Sequence, residues 1–303
     1  MGAFNFVSSM GEIFFLRGIH GIIFALATTV VSTLAVIVLP KHRKGEGINM
    51  FAVFSNIAMV LGPAIGLLAL DQYGTNTLFM VVTGMTFFAM IVANLKTLPL
   101  RLALPQRKKQ QCWELSTFIE HRSLPWALMG LFVGFCYSGV LVFVPIELNS
   151  QGIGTWASLF FGLYACMSIV SRPMVSKIYE RKGPEYVVYP GLILFAIGIA
   201  ILGLTSNPYG IVVAAPIIGL GYGMAQPAFQ ALAVESAPIE RAGVATATYF
   251  LSLDISVGIG SAVLAVAAHV LGFQDTYKII AGIVIVALAL YHFFLLNIHI
   301  RNK

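Results

Sequence analysis

A 303-residue chain that is 58% hydrophobic and only 10% charged is no ordinary water-soluble domain, since about a quarter of such a domain's residues carry charge. Apolar runs of about 20 residues recur along its whole length, the mark of helices that cross a bilayer. The formal charge of +6 sits in short clusters between those runs, a pattern that fits membrane topology and argues against nucleic acid as a partner.

Apolar runs bounded by charges, Gly and Pro predict about nine helices, at 11–38, 47–70, 76–96, 125–147, 155–179, 186–204, 209–234, 242–271 and 276–299. Three domains follow from their spacing: a partial N-terminal helical bundle over 1–97, a polar connector over 98–124 and a six-helix bundle over 125–303. The opening Ala3-Phe4-Asn5-Phe6-Val7 looks like the tail of a further apolar helix. The chain is therefore expected to begin part-way through a larger protein and to be incomplete as a carrier.

The basic residues sort by side. Lys41, Arg43 and Lys44 share a loop, and Lys96 to Arg122 carries six more. Arg172, Lys177, Arg181 and Lys182 flank another turn, Arg241 marks the next, and Arg301 and Lys303 end the chain. These are alternate loops, and the ones between them are nearly bare apart from Lys278. The positive-inside rule puts the basic side, and so the C-terminus, in the cytoplasm of a cell-membrane protein.

Several residues inside the spans carry chemistry. Asp254 stands about 18 Å into the helix over 242–271, at about 1.5 Å per residue, near the bilayer midplane. An ionised carboxylate there costs roughly 2.5–3.5 kcal/mol on insertion scales. Asp254 reads either as a group that loads and unloads a proton in a wet cavity, or as a fixed partner of another buried polar group. Arg17 lies near one end of the first helix, where its side chain can snorkel to the surface. His20 is one turn on, on the same face; it reads as a titrating group or as a packed, hydrogen-bonded histidine. Tyr222, Gln226, Phe229 and Gln230 fall on one helix face and suit an amphipathic ligand, with Tyr137 and Tyr249 as further wall. Each of these aromatics could equally pack against a neighbour. Gly219, Gly221 and Gly223 imitate a dinucleotide loop, but they sit inside an apolar run and read as close helix packing. No HExxH, GxSxG or phosphate-binding loop occurs, so no enzyme chemistry and no cofactor are expected. Cys112, Cys136 and Cys166 have no metal-ligand spacing, so neither a metal site nor a disulfide is expected.

The block from Gly219 to Gly260, GLGYGMAQPAFQALAVESAPIERAGVATATYFLSLDISVGIG, closely resembles the tenth and eleventh helices of major facilitator superfamily exporters of the drug:proton antiporter branch. Ser171-Arg172-Pro173 through Gly183 resembles the second copy of the family's cytoplasmic motif, with Ser176 and Glu180 in place of its glycine and aspartate, followed by Arg181 and Gly183. Arg17-Gly18-Ile19-His20-Gly21 resembles the fourth-helix motif, with His20 for the usual Gln. Leu61-Gly62-Pro63-Ala64-Ile65-Gly66 resembles the fifth-helix antiporter motif. The family has twelve helices, and on this alignment of motifs the chain would lack the first three.

The resemblance implies an all-α integral membrane bundle whose two halves rock about a central site. It implies an alternating-access, proton-coupled exporter of small amphipathic molecules. In that scheme Asp254, Arg17 and His20 couple protons. Gly21, Gly62, Pro63, Gly66, Arg172, Pro173, Glu180, Arg181 and Gly183 belong to conformational motifs, with Glu180 expected to gate the cytoplasmic side. The expected partners are a small-molecule substrate, protons and the lipid bilayer, with the chain acting as a monomer. A nutrient or metallophore carrier of the same fold, and a truncated protein that transports nothing, remain as alternatives.

Overall fold

The computed structural model describes residues 9–38, 44–95, 118–205, 207–238 and 241–301. They form eight long helices: α1 (Met10–Val38), α2 (Lys44–Leu95), α3 (Leu124–Ser150), α4 (Thr155–Lys182), α5 (Glu185–Leu204), α6 (Pro208–Glu235), α7 (Ala242–Leu271) and α8 (Phe273–Arg301). No strand occurs among the described residues. Eight stretches among them are long and apolar enough to cross a membrane. The expected pair 47–70 and 76–96 forms a single element, α2, with Gly74 as its non-helical residue (φ 74°, ψ 172°). That left-handed φ favours glycine, because a Cβ would be strained there. One residue thus does the work expected of a loop.

The chain divides into two compact units, Met1–Lys109 and Gln110–Lys303. In the first, α1 opens on a capping box. The Glu12 N–H donates to Ser9 Oγ at 3.3 Å, and the Ser9 N–H donates to Glu12 Oε2 at 3.4 Å. This pairing satisfies donors that a helix start leaves open. Side chains along α1 and along Gln72–Asn94 are largely exposed.

The second unit is a bundle of α3 to α8. Helix α6 packs against α5, α4 and α3, while α3 also packs against α7 and α8, and α5 against α8. Glycine makes the closest of these contacts possible. A Cβ on Gly223 would stand 2.6 Å from Ser171 Oγ, and one on Gly219 would stand 3.0 Å from Tyr164 Cα, both on α4. A Cβ on Gly221 would stand 2.7 Å from Phe195 Cα and 2.8 Å from Gly191 O on α5. Small residues let membrane helices approach backbone to backbone, and this glycine stripe is such a surface. On α3, Gly130 leaves room for the Tyr249 ring of α7. The core between these helices holds fully buried Phe143, Phe160, Phe161, Phe195, Phe229, Tyr164, Tyr249, Tyr277 and Tyr291.

Polar contacts tie one end of this unit together. Ser123 Oγ donates to the Ala233 carbonyl at 2.6 Å, and Tyr179 Oη donates to Glu235 Oε2 at 2.9 Å. The Glu120 N–H donates to Thr248 Oγ1 at 3.0 Å, and Arg241 Nε donates to the Glu120 carboxylate. The bond from Arg241 holds the Glu120 carboxyl below its usual range, against the upward push of its desolvation. The segment before α3, assigned to the connector by composition, is thus fastened to α6 and α7. Most of that connector, Trp113 and Cys112 included, lies outside the described residues.

At the opposite end, Trp156 meets Tyr209 edge to face at 5.2 Å. A pocket of about 260 Å³ opens there, lined by Glu147, Ser150, Gln151 and the 271–275 segment.

Candidate functional site

The sequence placed Tyr137 and Tyr222 on a common wall, and the structure stacks them. Their ring centroids are 4.2 Å apart with planes at 23°. Tyr164, which the sequence reading missed, completes the cluster, 5.7 Å from Tyr137 and 6.5 Å from Tyr222. Three helices meet here because Gly219 and Gly223 draw α6 onto α4, so that Tyr222 faces Tyr164. All three rings are buried. The signal available in the sequence was a stripe of Tyr164, Ser168 and Ser171 at helical spacing on α4, the face that receives the α6 glycines.

The other members of the expected wall separate. Tyr249 is fully buried and its hydroxyl donates to the Gln226 carbonyl at 2.8 Å, which ties α7 to α6. Gln226 is buried beside it, and Gln230 is half-buried. Phe229 turns to α8, where it meets Tyr291 edge to face at 5.7 Å.

Arg172 falls within the expected span over 155–179. It lies inside α4, about 15 Å from the Lys182 end at about 1.5 Å per residue. Its side chain is half-buried and within electrostatic reach of Tyr164 and Tyr222. Its Nε is sealed and has no hydrogen-bond partner among the described residues. Charge at the helix ends reaches water directly, whereas charge inside a span needs a cavity, a partner or a snorkelling side chain. Reading the basic residues as one cluster hid this difference.

Asp254 is exposed on the surface of α7, opposite the buried stripe of Thr248, Ser256, Gly260 and Leu264. It stands about 18 Å from the Ala242 end. The Lys182 and Ala242 ends lie on the same side of the unit, where Tyr179 holds Glu235 and Arg241 holds Glu120. Asp254 and Arg172 therefore stand at similar distances from that side, and Tyr164, eight residues before Arg172 on α4, stands about 12 Å further in.

Of the motif residues in the second unit, Pro173, Glu180 and Arg181 are exposed. Gly183 caps α4 at φ 99°, a left-handed conformation that glycine adopts freely. The inter-helix bond in this motif comes from Tyr179 to Glu235. In the first unit Arg17 is exposed, and His20 is half-buried with its ring 6.3 Å from Phe24. Gly21 and Gly62 are exposed with open space around them, and Gly66 is half-buried. The side chain of Pro63 lies outside the described residues. The backbone stays helical across 62–66, and the non-helical residue of α2 is Gly74. Among the described residues no group of three or more His, Cys, Asp or Glu side chains could hold a metal ion.

The sequence profile of the Major Facilitator Superfamily matches residues 1–261. The chain belongs to that family. It is an integral, multi-pass membrane protein of the all-α transporter type, and not an enzyme. An uncharacterised MFS-type transporter, MJ1560 of Methanocaldococcus jannaschii, is 22% identical over 282 residues, covering 91% of this chain and 72% of its own length. The uncharacterised MFS-type transporter YhhS of Escherichia coli K12 is 23% identical, covering 90% of this chain and 66% of its own. Multidrug resistance protein MdtG of Salmonella paratyphi A is 21% identical, covering 89% of this chain and 68% of its own. The chain thus spans about two thirds of the length of such relatives in the facilitator family.

Proposed function

We propose that this facilitator chain serves in a proton-coupled exporter of small amphipathic molecules that works by alternating access. The observation that carries the reading is Asp254, an exposed carboxylate at mid-membrane depth. A carboxylate at that depth stays ionised while water or a cation faces it and takes up a proton when its surroundings turn apolar. Rocking of two halves switches those surroundings, so protonation and opening become linked. The tyrosine rings, buried in this form, would offer an apolar wall with hydroxyl edges to an amphipathic solute once rocking of the halves exposes them. The similarity to MdtG, named as a multidrug resistance protein, supports export. The basic ends at Arg122, Arg181, Lys182 and Arg241 support a cytoplasmic placement of that side and of the C-terminus.

The test is dye efflux from cells that express the complete reading frame of the gene. Asp254→Asn removes the proton site at nearly constant volume and is expected to abolish efflux driven by a pH gradient. Asp254→Glu, which keeps a carboxyl, should retain part of it. Full gradient-driven efflux in Asp254→Asn would assign the residue to structure and refute the proposal.

A further inference from the structure

An arginine inside a membrane helix, short of its charged last turn, has few stable settings. Its guanidinium stays charged at every cellular pH. Such residues pair with acids or carbonyls, or they mark the path of a ligand. Arg172 has no hydrogen bond or ion pair to another described residue, and its Nε is closed off from solvent. The neighbours within its electrostatic reach are neutral phenols, Tyr164 and Tyr222. These share a stacked aromatic cluster with Tyr137. The rest of the Arg172 side chain keeps some exposure.

We infer that Arg172 is an anion-binding residue of the carrier, and that the transported solute is an amphipathic organic anion. The complement of an unpaired guanidinium is a carboxylate or sulfonate, which its planar fork matches. The complement of the tyrosine cluster is an apolar or aromatic body. One extended solute, with its acid at Arg172 and its apolar body reaching about 12 Å along α4 toward Tyr164, satisfies both features. A lipid phosphate offers the same charge, and the experiment separates the two sources. The inference rests on the carrier reading, yet the residues it uses all belong to α3, α4 and α6 of the second unit.

The experiment is a binding measurement on the purified full chain in phosphatidylcholine nanodiscs. The probes are dansylglycine, a fluorescent aromatic carboxylate, and dansylglycinamide, its neutral counterpart. The acid should bind at least about tenfold tighter than the amide, the scale set by charge-assisted hydrogen bonding. Benzoate should displace it and benzamide should not. Arg172→Gln should erase the preference, and Arg172→Lys should keep part of it. The competition arm uses the unaltered protein, so it decides the question even if Arg172→Gln fails to fold. Equal affinity for the two probes, no binding of either, or a preference that survives in Arg172→Gln overturns the inference. Displacement by added phosphatidylglycerol and not by benzoate assigns the site to a lipid and overturns it too. No proton gradient is present, so this result is independent of the Asp254 efflux test, and either can fail alone.

Discussion

Replacing Gly221 by alanine puts one methyl group where α6 and α5 touch backbone to backbone. That methyl would stand 2.7 Å from Phe195 Cα and 2.8 Å from Gly191 O. Both obstacles are main chain, so no side-chain rotation relieves them. Ordinary contact requires the helices to part by about 1 Å, and overpacking of this kind costs about 1–3 kcal/mol. The rigid surroundings place Gly221→Ala in the upper half, about 2–3 kcal/mol, or roughly 30- to 150-fold in the folding equilibrium. Gly258 on α7 is the control, because its position has open space around it. There, Gly258→Ala should be neutral or stabilising by up to about 1 kcal/mol through helix propensity. The assay is equilibrium unfolding in mixed micelles with rising dodecyl sulfate, followed by circular dichroism. If Gly221→Ala were as stable as Gly258→Ala, close packing would not be what the α6 glycines provide.

Further outcomes are expected from the other contacts. Tyr249→Phe removes the bond to the Gln226 carbonyl and should cost about 0.5–1.5 kcal/mol in the same unfolding assay; no loss would show that the bond contributes nothing. The Glu120 carboxyl is held below its usual value of 4.5, chiefly by Arg241. A lowered folded-state value means that the stabilisation is complete above the unfolded-state value and is lost as pH falls through the lowered one. Melting curves from pH 7 to pH 3 should therefore show an acid-side decline that is smaller in Glu120→Gln, and an identical decline in both would disprove the link. Asp254→Asn should stop gradient-driven efflux, and Arg172→Gln should erase the preference for an acid over its amide.

The helices were legible because a bilayer imposes a plain rule on composition. The span over 242–271 matches α7 to the residue, and 155–179 fell short of α4 only by its last charged turn. Long basic side chains let a helix continue into the interface after hydropathy has dropped, so Glu180 to Lys182 lay beyond the expected span and fold as helix. The join at Gly74 was illegible for a related reason: polar residues around it suggested a loop, while one glycine with positive φ sufficed. Tyr222 was picked out by helical spacing and Tyr137 as further wall, but Tyr164 was not, since its place depends on which helix the α6 glycines touch. Spacing along one helix likewise put Phe229 with Tyr222, although a different neighbour receives each ring.

Gly272 alone connects α7 to α8, at φ 84°. A protease needs several residues in extended form to thread its cleft, and that junction offers none without first unwinding a membrane helix. The end of the bundle away from its arginines is therefore sealed against cutting at this corner. An epitope tag or a fluorescent insertion placed there would have to dismantle the corner to be displayed.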